Sequence, residues 1–379
     1  WSIKHDFKKE NGKADDILPL WVADMDFRSP DSVVEALKKA VDHGIFGYSR
    51  ADESYFDAVA AWYQKRHHLT LQPEWMTCTP GIVFALSIAV RAFTQEGDAV
   101  LIQPPVYHPF SRAILRNKRT LVENPLVLKD GHYEMDLEEL EQKVLDEHVK
   151  LMILCNPHNP VGRVWTREEL TALADICLRH HVYVISDEIH GDFVWQGHEQ
   201  TPYASISEEA CLHSMMCTAP SKTFNLAGLV GSYHIVYNSW WRDRMEKESS
   251  LSHYNMMNVL SMHALIGAYK PEGYEWTDEL CEVLTGNIDF ACDYIEKHFE
   301  GVTVSKPQGT YMLFVDCTDW CKAHGKTIED VEHACWDVGA AIQDGTMFFG
   351  PCHLRMNLAS PRSRIEEAFH RMDKYVFNA

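Results

Sequence analysis

The sequence predicts an α/β fold built on a doubly wound, mainly parallel sheet. Two observations carry this expectation. Short aliphatic runs that end in polar, turn-rich loops alternate with helices that open on capping residues. The chain, at 379 residues, is also long enough for a large core and a second, smaller domain.

Composition narrows the classes of function. A hydrophobic fraction of 46% and a charged fraction of 24% are ordinary for a soluble globular protein. A net charge of −20 argues against nucleic acid as a partner. The 11 cysteines form no C-x-x-C pair and no regular framework. They read as reduced thiols of a cytoplasmic protein, most of them small core residues. His67-His68 and His180-His181 lack metal-ligand spacing, so no metal site is expected. No apolar run reaches the roughly 18 residues that span a bilayer, so no membrane is expected either. The opening Trp1-Ser2-Ile3-Lys4 is not a signal peptide. It lacks an initiator methionine, so residues are expected to precede it.

Residues 1–30 show no clean period and read as an irregular arm, with Leu18 to Phe27 either packed on the body or lining a pocket. Pro30 and Asp31 suit the first turn of a helix from Ser32 to Asp42. Gly44 to Tyr48 is a glycine-flanked loop whose Tyr48 is either a packing aromatic or a site residue. A second helix runs from Ser54 to Arg66. Pro80 and Gly81 then open a strongly apolar helix, whose first N–H groups form an anion site of low specificity. Ala99 to Gln103 is a buried strand. It ends in the proline-stiffened loop that carries Tyr107, which can stack on a flat ligand or simply pack. Asp136 and Thr166 each open a helix with a glutamate three residues on, the capping-box spacing. Lys150 to Cys155 and Val182 to Ser186 are strands, ending respectively in the Asn156–Gly162 loop and in Asp187-Glu188-Ile189-His190.

Lys222 follows a strand over His213 to Thr218 and sits in a loop of small residues before a second strand, Leu229 to Val236. A lysine among apolar neighbours loses proton affinity and becomes an amine nucleophile able to form an imine with an aldehyde such as pyridoxal phosphate. A solvated loop lysine is the plainer alternative on this stretch alone. Loops that end successive parallel strands share one edge of the sheet, so Tyr107, Asn159, Asp187 and Lys222 can converge. Residues 238–300 read as mostly helical. Strands near Met312 and His353, a helix over Ile328 to Val338 and a final helix from Arg362 complete the chain.

Taken together, Asn159-Pro160-Val161-Gly162, Ser186-Asp187-Glu188, Ser221-Lys222 and Arg355 resemble the fold-type I, aminotransferase-like family of pyridoxal phosphate enzymes over nearly the whole chain. Trp21 to Phe27, Asp187 to His190 and Ala219 to Leu229 are similar to its bacterial cystathionine β-lyase and cysteine C–S lyase branch, the MalY/PatB type. The resemblance implies a large domain with a mainly parallel sheet flanked by helices, over 45–275, and a smaller α+β domain over 276–379. Residues 1–44 would form an arm and part of the small domain.

The resemblance also implies roles. Lys222 would hold pyridoxal phosphate as an imine and later act as base at Cα. Asp187 would keep the pyridine nitrogen protonated, Asn159 would donate to the phenolic oxygen, and Tyr107 would stack on the ring. His190 would stand at the cofactor where many relatives carry tyrosine. The backbone of Gly81, Ile82 and Val83, with the Ser221 hydroxyl, would hold the phosphate. Arg355 would clamp the substrate carboxylate, with Ala23 and Asn159 beside it. Tyr48 would reach the cofactor phosphate of a neighbouring subunit, which implies a homodimer with shared sites.

The chain departs from many aminotransferases at Val230, where arginine is usual, and at Ala219, His190 and Val161. These departures weaken a plain transaminase reading and are compatible with the lyase branch. The expected reaction is β-elimination from cystathionine, cysteine or a related S-conjugate, giving thiol, pyruvate and ammonia. Transamination of a small amino acid is the first alternative. A partner-binding regulatory protein on the same fold is the second, and an intact Lys222, Asp187, Asn159 and Arg355 argues against it.

Overall fold

The computed structural model describes residues 2–10, 16–252 and 256–378. Trp1, residues 11–15 of the stretch read as irregular, residues 253–255 of the stretch read as helical, and Ala379 lie outside them. Seven strands form the main sheet: β1 (Met76–Thr79), β2 (Ala99–Ile102), β3 (Thr120–Glu123), β4 (Leu151–Cys155), β5 (Tyr183–Asp187), β6 (Ser214–Thr218) and β7 (Ser232–Ile235). Their spatial order is β1-β7-β6-β5-β4-β2-β3. The ladder from β3 through β2, β4 and β5 to β6 is parallel, and β7 runs antiparallel to both β6 and β1. Every residue of β2, β4, β5, β6 and β7 is buried, as aliphatic strands covered by helices on both faces must be. Each fully buried Leu, Ile or Val side chain there contributes about 1.5–3 kcal/mol of transfer free energy. The edge strands β1 and β3 are only partly buried.

A second sheet of four short antiparallel strands follows: β8 (Thr303–Val304), β9 (Met312–Asp316), β10 (Gln343–Asp344) and β11 (His353–Asn357), in the order β8-β9-β11-β10. The 28-residue helix Pro271–His298 connects the two halves of the chain and packs its Leu284, Ile288 and Ile295 into the core around this sheet. The helix Asp31–His43 lies against Val259–Ala268 so closely that a Cβ on Gly267 would sit 2.7 Å from the Ser32 carbonyl.

Several expectations change. The arm is not irregular throughout. Ile3–Glu10 is helical, and Leu18–Pro19 pairs in parallel with Ala340–Ala341. Partners distant in sequence hold it: the Lys4 ammonium is buried against Asp26 at 3.2 Å and the Asp24 carbonyl at 2.9 Å. Lys222 lies not in a loop but in a one-turn helix, Pro220–Thr223, where Pro220 presets the first turn. The Thr166 capping box is complete, whereas the Asp136 cap is one-sided. Asp136 accepts the Glu139 N–H, but the Glu139 carboxylate turns to Asn124 and Lys143 instead. The helix Pro109–Arg116 and the edge strand β3 add to the expected elements.

Candidate active site

The carboxyl ends of β1, β2, β4, β5 and β6 open on one edge of the main sheet and surround a cavity of about 320 Å³. Its walls bring together residues spread over the whole chain. Ala23 comes from the arm, Ile82 and Val83 from the helix after β1, and Tyr107 from the loop after β2. Asn159 follows β4, Asp187 and His190 follow β5, Lys222 follows β6, and Arg355 stands on β11. Gly81 is the N-cap of helix Ile82–Phe93, with a left-handed φ of 97° and open space where a side chain would be. Any other residue would be strained there, and the helix N-terminus is left open for an anion. Gly81 and the half-buried Ser221 neighbour wall residues without lining the cavity. Tyr48 is fully exposed and lies away from the cavity of its own chain.

Burial sets the electrostatics. It lowers the proton affinity of the Lys222 amine, which donates to the Ala23 carbonyl at 3.2 Å. Burial pushes the Asp187 carboxyl up to about 7, against the Ile189 N–H that donates to it at 3.2 Å. His190 and His108 are both held neutral by burial, pushed down to about 3 and about 4 respectively. Burial also lowers Arg355 to about 10, where it still carries its charge at neutral pH. The Arg355 guanidinium sits over Phe348 at 4.2 Å and donates through Nη2 to the Trp21 carbonyl (2.9 Å) and Gln343 Oε1 (2.7 Å). Among the described residues, Lys222 and Arg355 are the only lysine or arginine lining the cavity.

The arm is tied into this site by its backbone. Asn357 donates to the Val22 and Asp24 carbonyls. Asn225, three residues past Lys222, accepts the Met25 N–H and donates to the Met25 and Phe27 carbonyls. Tyr311 donates its hydroxyl to the same Ala23 carbonyl that holds Lys222, at 3.0 Å. Beneath the lysine turn, Thr223 donates to the half-buried Asp192 at 2.7 Å, which also accepts the Trp62 indole at 3.2 Å.

The cavity also takes in Trp21, Val22, His108, Cys155, Ile189, Gln343 and Phe348. Trp21, Val22, His108 and Ile189 adjoin residues the sequence already singles out. Gln343 and Phe348 sit in a two-residue strand and a short turn, which carry no sequence signal.

The residues present fit pyridoxal phosphate. Asp187 is a buried carboxylate that bonds no cation among the described residues, as a protonated pyridine nitrogen requires. Asn159 Oδ1, His190 Nδ1 and Arg355 Nε are buried without partners among the described residues, so polar groups remain to be satisfied by a bound molecule.

Comparison with known proteins agrees with this geometry. The family described as aminotransferase class I and II matches residues 15–372. Cystathionine beta-lyase PatB of Bacillus subtilis is 40% identical over 374 residues, which is 98% of this chain and 95% of the relative. Protein MalY of Escherichia coli is 31% identical over 97% of this chain and 93% of its own. Among solved structures, cystalysin from Treponema denticola, which contains a pyridoxal 5'-phosphate cofactor, matches with a TM-score of 0.94 at 35% identity. That match covers 99% of this chain and 95% of the other.

Proposed function

The chain belongs to the aminotransferase class I and II family of pyridoxal phosphate enzymes, and from that premise we propose that it is a carbon–sulfur β-lyase. Its substrates are cystathionine, cysteine or related S-conjugates. When bound, the cofactor supplies an electron sink for the pair left at Cα. The chain's own residues do the rest. Arg355 clamps the substrate carboxylate, presenting nitrogens at the cavity wall in a fixed fork. Lys222, its proton affinity lowered by burial, is the base that takes the Cα proton. Asp187 would give the ring nitrogen an anionic partner at a buried position. Asn159 donates to the phenolic oxygen and Tyr107 covers the ring. Ile82 and Val83, with Gly81 and Ser221 beside them, hold the phosphate at the open helix N-terminus. Tyr48, exposed on its own chain together with Ile45 and Phe46, reaches the site of a second copy in a homodimer.

The observation that carries the lyase reading is the charge of the cavity. Beyond Lys222, Arg355 and the Asp187 carboxyl, which the cofactor's ring nitrogen would engage, the wall is apolar or neutral, with Trp21, Val22, Val83 and Phe348 facing the remaining space. A thioether arm suits that wall. A second carboxylate close to Cβ, as in a dicarboxylate substrate, would be buried there without a cation at a cost of several kcal/mol.

The test is a product assay on purified, cofactor-loaded protein given cystathionine or cysteine with no keto acid. Equal amounts of pyruvate and thiol or sulfide are expected. Amino-group transfer on adding a keto acid, with no pyruvate before it, would overturn the lyase reading and make the protein a transaminase.

A further inference from the structure

Cα of an amino-acid substrate carries four substituents, and the proposed roles account for three. Arg355 takes the carboxylate, the cofactor takes the nitrogen, and Lys222 takes the hydrogen. The fourth substituent is the arm that ends in sulfur. As the Cβ–S bond breaks, its electron pair stays on sulfur, and a thiolate forms beside the mainly apolar wall of Trp21, Val22, Val83 and Phe348. Such a charge needs a donor already in place.

The polar side chains of the wall without a role in the proposed mechanism can be taken in turn. Gln343 Oε1 accepts from Arg355, so its amide is engaged in holding the clamp. Cys155 Sγ accepts the Asn159 N–H at 3.3 Å. The Trp21 indole donates to the Lys4 carbonyl at 3.4 Å. His190, whose Nδ1 is also buried without a partner among the described residues, packs edge-on to Tyr311 at 5.6 Å and stands three residues past Asp187, where it would belong to the cofactor rather than to the sulfur. His108 remains. It caps the helix Pro109–Arg116, with its carbonyl accepting the Ser111 hydroxyl at 2.9 Å, so its backbone is fixed. Its ring stands edge-on to Phe348 at 5.3 Å, the same ring that carries Arg355, so it lies one aromatic side chain from the carboxylate clamp. Nδ1 of His108 is buried without a partner among the described residues, and the residue lines the cavity, which leaves Nε2 as the ring nitrogen available to a ligand. An N–H buried with no acceptor wastes a donor, so the proton belongs on Nε2.

We propose that His108 donates a hydrogen bond from Nε2–H to the departing sulfur and so selects substrates by their leaving group. The inference rests on the lyase reading. In the step, the Cα–H proton moves to the Lys222 amine, a Cα–Cβ double bond forms, and the Cβ–S pair goes to sulfur. The proton that turns thiolate into thiol returns from the Lys222 ammonium or from water. His108 stabilises the charge and is not consumed, and no oxidant or reductant enters.

The experiment compares the cofactor-loaded wild type with His108→Phe and His108→Gln on two substrates. One is an S-alkyl cysteine, whose thiolate is strongly basic. The other is S-para-nitrophenyl cysteine, whose thiolate is stable without help. His108→Phe is expected to lower kcat/KM by roughly 10- to 100-fold on the alkyl substrate, somewhat less than an oxyanion donor contributes, and by under about 3-fold on the aryl one. His108→Gln, which keeps an N–H donor, regains most of the loss. Nitrogen NMR of the loaded wild type is expected to place the His108 proton on Nε2. Equal losses on both substrates, no loss at all, or a proton on Nδ1 would overturn the proposal and leave the lyase reading standing. A wild type that releases no thiol from either substrate would overturn both.

Discussion

Replacing Asp187 with asparagine separates what this carboxylate does for the cofactor from what it costs the protein without it. Asp187 ends β5 and is buried, and its carboxylate accepts the Ile189 N–H at 3.2 Å. Burial pushes it from an ordinary 3.8 up to about 7, with the charge of Glu188 adding to the rise and that of Lys222 opposing it. The sign follows directly. Between these two values the folded, cofactor-free protein keeps a proton that the unfolded chain has released. The stability this brings is full below the unfolded value and is lost as pH rises toward the folded one. A gap of about 3 pH units corresponds to on the order of 4 kcal/mol. Asparagine keeps an oxygen for the Ile189 N–H and cannot titrate, so this contribution to the slope vanishes. The assay is urea unfolding of the cofactor-free wild type and Asp187→Asn at about pH 5 and about pH 8. The stability difference between the two proteins is expected to shift toward the variant by about 2–3 kcal/mol over that range, the rest of the gap lying below pH 5. Glu188, also raised by burial, titrates in both proteins, so only its coupling to the Asp187 charge enters the difference. Loaded with cofactor, the variant would lack the anion proposed to keep the ring nitrogen protonated, so cofactor affinity and the rate of the proposed elimination are both expected to fall. An identical pH dependence in the two apoproteins would refute the reasoning, because Asp187 would then not be an unpaired buried acid.

Arg355→Lys replaces a planar fork with a point charge. The loss of one charge-assisted hydrogen bond costs about 1.5–3 kcal/mol, or roughly 10- to 150-fold in kcat/KM, with the cofactor absorbance unchanged. Unaltered steady-state kinetics would remove the clamp assignment. Asn225→Ala removes three hydrogen bonds between the lysine turn and the arm, so denaturant unfolding is expected to lose about 2–4 kcal/mol, and protease cleavage of the arm should quicken. Wild-type cleavage rates would show that the arm is held by other contacts. Tyr48 can be tested by mixing subunits. Lys222→Ala and Tyr48→Ala homodimers are each weak, but random hybrids carry one intact site, so mixing should recover about a quarter of wild-type activity. No recovery would place Tyr48 outside the partner's site.

What the sequence disclosed and what it withheld follow from how far each signal reaches. The buried strands are legible because five consecutive apolar residues, as in Leu151–Cys155, have no other stable place. Their carboxyl-end loops are legible because a parallel sheet puts them on one edge, and this is why Tyr107, Asn159, Asp187 and Lys222 meet. The Thr166 capping box needs only three residues of context. The helix Ile3–Glu10 needs Asp26, and its exposed Ile3 breaks any amphipathic pattern. The edge strands β1 and β3 are partly exposed and too short to announce a period. Gln343 and Phe348 enter the cavity because β10 pairs with β11, a register that no local pattern specifies.

The arm shows why such long-range contacts bear on the chemistry. The Ala23 carbonyl accepts from both Lys222 and Tyr311, and the arm that presents it is tied by Asn357 and Asn225. The low proton affinity of Lys222 comes first from burial, and Trp21, Val22 and Ala23 supply part of the wall that buries it. If the arm lifts, water reaches the amine, its affinity for the proton rises, and less of it is the free base that removes a proton from Cα. The same movement frees the Trp21 carbonyl from Arg355 and loosens the carboxylate clamp. Base strength and substrate grip therefore rise and fall together with one segment. Asn225→Ala should accordingly shift the pH profile of kcat/KM upward as well as lower its maximum, whereas damage confined to packing would lower the maximum alone.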